Sequence, residues 1–281
     1  MKNIAILITC HNRKEKTLSC LEAIYINILP EKYFLDVYLV DDGSKDGTGQ
    51  AVHERYPKVH IIKGDGNLYW NGGMRVAFNA AMEKGFDYYM WLNDDTQLYP
   101  SAIKTIISVS SKLSAQINNS VVVVGSTQES LSGGISYGGL RRMSWWRPLN
   151  FTLVSPSNIP EICDTMNGNC VLIPREIASA VGNLEESFIH SMGDIDYGLR
   201  AGKAGFCIYV SPGFVGQCKC NPIDQTFLDD RLSLTMRWKK IISVKGLPPR
   251  QRYVLVSRHA GLLWPFVWVW PYIKLLFAIS R

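Results

Sequence analysis

Apolar and polar positions alternate in blocks along the first hundred residues. Asn3–Thr9 is a short run rich in β-branched residues and reads as a buried strand. Lys14–Leu29 places Leu18, Leu21, Ile24, Tyr25 and Ile28 at helical spacing, and Pro30 closes it. Leu35–Val40 is a second strand, after which Ser44 or Asp46 can cap a helix to about Tyr56. Val59–Ile62 is a third strand. A glycine-rich loop, Gly64–Gly73, then leads into a helix ending at Glu83 or Lys84. Phe86–Leu92 is a fourth strand, apolar throughout, as in parallel sheets buried on both faces. The order β-α-β-α-β-α-β predicts an α/β fold, a mostly parallel sheet flanked by helices.

Further on, Pro100–Ala115 reads as a helix and Val121–Gly125 as a strand. Gly133–Pro148, rich in Gly, Arg and Trp, reads as hairpins or loops; its aromatic faces suit a sugar or simply cover the core. Asn167–Pro174 reads as a turn, a buried strand and a helix start at Pro174. Asp194 precedes or begins a helix to about Ala204. Asp194 and Asp196 are two apart and leave that helix on different sides, so one can face a crevice while the other caps or pairs, for instance with Arg200.

Polar loops follow strand after strand: Thr9–Arg13, Asp41-Asp42, Gly64–Gly73 and Asn93–Asp95. Ligands of open α/β sheets sit at that carboxyl rim. The adjacent acids Asp94 and Asp95 repel each other unless a cation lies between them, and Mg²⁺ takes one or two carboxylates together with water and phosphate oxygens. The alternative is a plain capping turn. Neither the dinucleotide fingerprint nor a Walker-type phosphate loop is present.

Charge changes this picture at one end. The chain of 281 residues carries a net charge of +6, yet Arg231–Arg281 holds ten Lys or Arg and no Asp or Glu. A basic end of that kind suits an anionic partner. No secretory leader is evident, and the seven cysteines, an odd number without Cys-x-x-Cys, read as reduced thiols of a cytoplasmic protein. After Leu247-Pro248-Pro249 comes a basic, aromatic tail whose window Ala260–Ile279 carries only Lys274 as a charge. Its length allows a membrane span. Pro265, Pro271, Lys274 and mid-window Trp residues fit a segment lying in the headgroup zone better; a buried or dimer-forming tail is the third reading. Nucleic acid is the poorer partner, because continuous apolar sequence favours lipid. Residues 1–220 are thus expected to form the catalytic domain, and 221–281 a helical, membrane-facing extension with affinity concentrated in 250–281.

Taken together, Thr9-x-x-Asn12-Arg13, Val40-Asp41-Asp42-Gly43-Ser44, Asn67 through Gly72-Gly73, Leu92-Asn93-Asp94-Asp95 and Gly193-Asp194-Ile195-Asp196 resemble family 2 glycosyltransferases of the GT-A type. The resemblance runs from Asn3 to about Val215 and is strongest toward bacterial enzymes that build capsule or O-antigen polysaccharide. It implies transfer of a sugar, with inversion, from a UDP- or dTDP-sugar to a glycan hydroxyl, on a polyprenyl-diphosphate-linked acceptor at the inner face of the membrane. On that resemblance Thr9 and Asp42 bind the base with Asp41 close by, and Arg13 and Arg75 approach the phosphates. Asn12, Asn67, Gly73 and Asn93 complete the donor site. Asp94 lies near the ribose, Asp95 on Mg²⁺ or Mn²⁺, and Asp194 is the general base. Trp145, Trp146, Asn167, His190 and Asp196 are candidates for the acceptor side, and a homodimer is left open. Tyr69 and Met74-Arg75 depart from the family pattern and leave the donor sugar undetermined. Phe214–Cys218 offers no His where many relatives carry one. The rivals are a sugar-phosphate nucleotidyltransferase, whose Gly-rich N-terminal loop is missing, and an inactive scaffold subunit of a polysaccharide machine. The intact acids at 42, 94, 95 and 194 count against the scaffold.

Overall fold

The computed structural model describes residues 1–277; the last residues of the expected membrane segment, 278–281, lie outside the described residues. Four strands and three helices open the chain: β1 (Lys2–Cys10), α1 (Lys14–Tyr25), β2 (Tyr33–Asp41), α2 (Thr48–Arg55), β3 (His60–Lys63), α3 (Tyr69–Lys84) and β4 (Tyr88–Leu92). There follow β5 (Gln97–Leu98), α4 (Ala102–Ile117), β6 (Val121–Gln128), β7 (Ile135–Tyr137), β8 (Gly139–Ser144), β9 (Arg147–Leu153), β10 (Glu161–Cys163) and β11 (Thr165–Met166). The chain continues through β12 (Cys170–Pro174), α5 (Arg175–Val181), α6 (Gly193–Lys203) and β13 (Cys207–Gln217) to α7 (Leu234–Ile241), α8 (Pro249–His259) and α9 (Trp264–Phe277).

The main sheet runs β10-β13-β6-β12-β4-β1-β2-β3, with β5 on β13 and β7 on β6. Strands β3, β2, β1 and β4 are parallel, as the alternation of elements predicts; β12 enters antiparallel between β4 and β6. A small sheet, β11-β8-β9, lies apart. The period of two along β1 divides its side chains between two cores. Ile4, Ile6 and Ile8 pack with α1 and α4, and Ala5 and Leu7 with Met74 and Phe78 of α3 and Tyr197 of α6.

Two boundaries differ from the sequence reading, each for a local reason. α1 stops at Tyr25 because Asn27 is drawn away: its amide donates to Tyr99 O at 2.7 Å and its Oδ1 accepts from Ile103 N at 3.0 Å. α3 begins at Tyr69, inside the segment read as loop, because Asp42 accepts from Leu68 N and Tyr69 N, each at 3.0 Å, and caps the helix from a distant strand end. Gly72 and Gly73 therefore lie within that helix. Any Cβ on Gly73 would strike Thr9 Oγ1, so its bare backbone is what lets α3 settle against β1. Gly133–Pro148 forms strands, with Trp145 and Trp146 at the tip of the β8–β9 hairpin.

The basic tail folds back as helices. α8 lays Leu255 against Phe188 and Met192, and α9 lays Tyr272 and Leu275 against Ile241 of α7. Pro271 sits inside α9 and has no N–H for the carbonyl of Val267. Arg252 replaces that donor, with Nη2 at 2.6 Å from Val267 O and Nε at 3.2 Å from Trp268 O. Among the described residues no helix is long and apolar enough to cross a membrane, so the span reading finds no helix there. All seven cysteines are free thiols.

Candidate active site

The carboxyl ends of β1, β2 and β4, the N-terminus of α6 and the turns around β13 and α7 enclose one cavity of about 830 Å³. Thr9, Arg13, Asp42, Asn93, Asp94, Asp95, Asn167, His190 and Asp194 all line it. Acids far apart in the chain, at 42, 94–95 and 194, thus meet in a single cleft.

Asp42 uses both carboxylate oxygens on backbone N–H groups, Gly66 at 2.8 Å as well as Leu68 and Tyr69. It shapes the loop while presenting its remaining edge to the cavity. Arg13 Nη1 donates to Asp94 Oδ1 at 2.9 Å and to Asp95 Oδ2 at 3.1 Å, and Lys16 adds a longer bond to Asp95 at 3.4 Å. These cations offset the repulsion of the adjacent acids. Burial pushes the Asp94 carboxyl up to about 6 against the pull of Arg13, with Asp95 adding to the rise. Asp94 Oδ2 is buried with no hydrogen-bond partner among the described residues. Trp70 Nε1 donates to Asn93 Oδ1 at 2.7 Å and sets the amide beside them.

This pair suits a divalent cation. No group of three His, Cys, Asp or Glu among the described residues could hold a metal by itself. Mg²⁺ does not need one, since it keeps waters and phosphate oxygens around one or two carboxylates. The orphaned Asp94 Oδ2 and the neighbouring Asp95 supply oxygen donors of that kind. Cys218 Sγ donates to Asp95 Oδ1 at 3.5 Å; burial and then the Asp95 charge push this thiol up to about 12, so it stays neutral.

Asp194 begins α6. Its Oδ2 accepts from Gly168 N at 3.0 Å and its Oδ1 from Ile195 N at 2.9 Å. Burial raises its carboxyl above the ordinary range despite those two bonds. Gly193 is pressed on Asn71 of α3, where a Cβ would overlap the amide, so α6 abuts α3. Two cavity residues hold left-handed backbone, Tyr69 (φ 54°) and Met192 (φ 75°), and Asn12 beside the rim does too (φ 52°). Backbone strain of this kind, roughly 1–3 kcal/mol each, gathers where geometry is held for a task.

Several expected site residues stand elsewhere. Asp196 is fully buried, bound to Arg200, Arg258 and His259, and cannot reach an acceptor. Its partners on α8 tie the tail to the helix that carries Asp194. Arg75 does not line the cavity; it sits 4.0 Å from Glu186, and its carbonyl accepts from Asn183. Trp145 and Trp146 stand exposed on the small sheet, Trp146 under the guanidinium of Arg147 at 4.3 Å, and do not line the cavity. Asn12, Asp41, Asn67 and Gly73 act one step behind the wall. Asn12 accepts from Lys45 N at 2.7 Å, Asp41 from Ser44 N at 3.0 Å, Asn67 N donates to Asp65, and Gly73 backs Thr9. Sequence reasoning missed Tyr69, Trp70, Asn169, Lys219 and Lys245 as wall residues. Trp70 follows the Asn67 loop and was within reach of it; Lys245 comes from the tail and carries no local signal.

A mixed, mostly parallel sheet flanked by helices, with its acids gathered in one cavity at the rim, is an α/β architecture of the GT-A kind. Solved structures with that fold align along most of the chain. TarS of S. aureus, residues 1–349 in complex with UDP, aligns at 14% identity over 92% of this chain and 70% of that one, TM-score 0.55. GalNAc-T7 with UDP, GalNAc and Mn²⁺ aligns at 14% identity over 77% of this chain and 42% of that one, TM-score 0.60. The family model of glycosyl transferase family 2 matches residues 5–181, and the chain belongs to that family. Among characterised relatives, the N-acetylglucosaminyl-diphospho-decaprenol L-rhamnosyltransferase of Mycobacterium tuberculosis is 28% identical over 198 residues, 63% of this chain. The match spans 64% of that relative's length, less than two thirds.

Proposed function

We propose that the protein transfers a sugar, with inversion, from a UDP- or dTDP-sugar to a hydroxyl of a lipid-diphosphate-linked glycan during surface-polysaccharide synthesis. The observation that carries this reading is the shared cavity: Asp194 faces the same space as the Asp94–Asp95 pair and Asp42. Asp94 and Asp95 would hold Mg²⁺ or Mn²⁺, which supplies charge neutralisation at a departing diphosphate. Thr9 and Asp42 border the part of the cavity beneath the α3 N-terminus, where a nucleoside fits. Asp194 accepts the proton of the acceptor hydroxyl as that oxygen bonds to the anomeric carbon. The bond from that carbon to the diphosphate oxygen breaks, and the nucleoside diphosphate leaves with the electron pair. One carboxylate base serves a single displacement.

The acceptor class is supported by the mycobacterial relative, named for a decaprenol-diphosphate acceptor, and by the tail. Phe266, Trp270 and Phe277 recur along one face of α9 and are exposed, with Leu262 beside them; Lys274 flanks this face. An apolar face flanked by a lysine suits an anionic leaflet, and we read it as the surface by which the enzyme would dock on the cytoplasmic face of a membrane. The deciding experiment is a screen of nucleotide sugars by thermal shift and by metal-dependent release of nucleoside diphosphate, with Asp95→Ala beside the wild type. Donor turnover that needs Mg²⁺ or Mn²⁺ and is lost in Asp95→Ala supports the enzyme. A wild type that neither binds nor turns over any nucleotide sugar would leave the scaffold reading standing.

A further inference from the structure

The cavity wall contains two cations that no carboxylate among the described residues pairs with. Arg13 is spent on Asp94 and Asp95, and Lys16 on Asp95. Lys219, just past β13, and Lys245, between α7 and α8, also line the cavity and make no ion pair among the described residues. Both are exposed at its mouth.

Lys245 stands on a tightly built turn. Gly246 N donates to Ser243 O at 2.8 Å and Leu247 N to Ile241 O at 2.6 Å. A Cβ on Gly246 would strike the carbonyls of Lys240 and Ile241, so the turn closes only around glycine. Tyr272 of α9 donates its hydroxyl to Leu247 O at 2.6 Å, and Leu247 packs into the cluster of Ile241, Tyr272 and Leu275. The turn therefore rests directly on the helix whose outer face is exposed and apolar. On the same cavity wall, His190 Nδ1 and Ser191 Oγ are buried without hydrogen-bond partners among the described residues. Burial, then the charges of Lys245 and Arg13, hold His190 below the ordinary imidazole range.

We propose that Lys245 and Lys219 form a second diphosphate-binding subsite, distinct from the Asp94–Asp95 pair, with the unpartnered His190 and Ser191 completing its polar wall. Lysine ammonium groups bind phosphate as compact point charges with rotatable donors. The subsite takes the diphosphate of a prenyl-linked acceptor, because its turn is seated on α9, the part of the fold with the lipid-facing character; a nucleoside diphosphate is the other source of the same chemistry. This assignment rests on the transferase reading above.

The test uses the purified full chain with Mg²⁺ and three probes in titration calorimetry: uridine diphosphate, farnesyl diphosphate and farnesol. Lys245→Ala and Lys219→Ala are expected to weaken farnesyl diphosphate binding by about tenfold each, the size of one partly exposed charged hydrogen bond. Lys245→Arg should retain most of it. Farnesol binding should not change in any variant. Lys239→Ala and Lys240→Ala, equally basic changes in α7 outside the cavity, should bind all three probes as the wild type does. Loss confined to uridine diphosphate assigns the subsite to the donor instead of the acceptor. Wild-type affinity for both diphosphates in Lys245→Ala and Lys219→Ala, or an equal loss in the α7 controls, overturns the subsite while leaving the transferase reading intact. A wild type that binds no nucleoside diphosphate strikes the transferase reading itself.

Discussion

Replacing Asp196 with Ala tests whether the tail is structurally joined to α6, the helix that carries Asp194. The carboxylate is fully buried and accepts from Arg200 Nε at 2.8 Å, Arg258 Nη1 at 2.9 Å and His259 Nε2 at 2.8 Å. Removing one member of a buried ionic group costs roughly 3–5 kcal/mol, since the partners stay desolvated and unpaired. Here two partners keep other bonds. Arg200 holds the carbonyls of Val181 and Asn183 at 2.6 and 2.9 Å, and Arg258 holds Glu185 at 2.8 Å. The lower end, about 3 kcal/mol, is therefore expected. For a chain of this size roughly 2–4 °C accompanies each kcal/mol, so the melting temperature at pH 7 should fall by about 6–12 °C. The pH dependence carries a sign. Burial alone would push the Asp196 carboxyl up, but the bonds from His259 and Arg200 and the charges of Arg200 and Arg258 hold it below the ordinary carboxylate range. Its contribution is present above the unfolded carboxylate value of about 3.9 and is lost as pH falls through the depressed folded value. Calorimetric melts of wild type and Asp196→Ala from pH 7 down to the acid limit of folding should converge. A difference at pH 7 within about 1 °C, or one that grows in acid, refutes the reasoning.

Three further outcomes follow from particular contacts. Asp194→Asn should cut transfer by about 10²–10⁴-fold while nucleoside diphosphate binding is kept. Because burial raises that carboxyl and the base acts deprotonated, wild-type kcat should climb with pH through a midpoint above the ordinary carboxylate value, a limb missing from the Asn variant; transfer near wild-type rates in Asp194→Asn would remove it as the base. Gly193→Ala should destabilise by about 1–3 kcal/mol in urea denaturation. Its Cβ would overlap the Asn71 amide, which is pinned to Glu185 O at 3.1 Å and Phe188 O at 2.7 Å and cannot withdraw; an unchanged midpoint would show that α6 shifts freely. Phe266→Glu with Trp270→Glu should abolish co-sedimentation with anionic vesicles and leave the melting temperature within about 1 °C, since both side chains are exposed; unchanged sedimentation would remove α9 as the docking face.

The parallel half of the sheet was legible because β1 and β4 are apolar runs buried on both faces and the polar loops fall at one rim by topology. Asp42, Asp94, Asp95 and Asp194 could be found on that logic, and the cavity collects them. What failed was non-local. Asp196 and Asp194 look alike in sequence, and only the arrival of Arg258 and His259 from α8 separates a buried ionic hub from a site acid. Trp145 and Trp146 have sugar-stacking chemistry, but a hairpin carries them to the exposed end of the small sheet, away from the cavity. β12 shows nothing in its own residues that tells an antiparallel insertion from another parallel strand, since Cys170–Pro174 is as buried and apolar as β4.

The tail makes the same point about function. Read alone, residues after 220 are a basic, aromatic appendage whose partner is a surface. In the fold they also form part of the cavity wall through Lys245, Gly246 and Leu247, and grip α6 through Arg258 and His259. A segment that lines the cleft and is proposed to dock on a bilayer would link the two physically: any force that seats α9 would reach the Lys245 turn through the Tyr272–Leu247 hydrogen bond and their shared packing. Removal of the tail would therefore expose the apolar patch of Phe188 and Met192, strand Asp196 without two of its partners and open one wall of the cavity. Loss of activity on truncation consequently says nothing specific about lipid binding. Point changes on the outer face of α9, which leave those internal contacts in place, separate docking at the membrane from construction of the site.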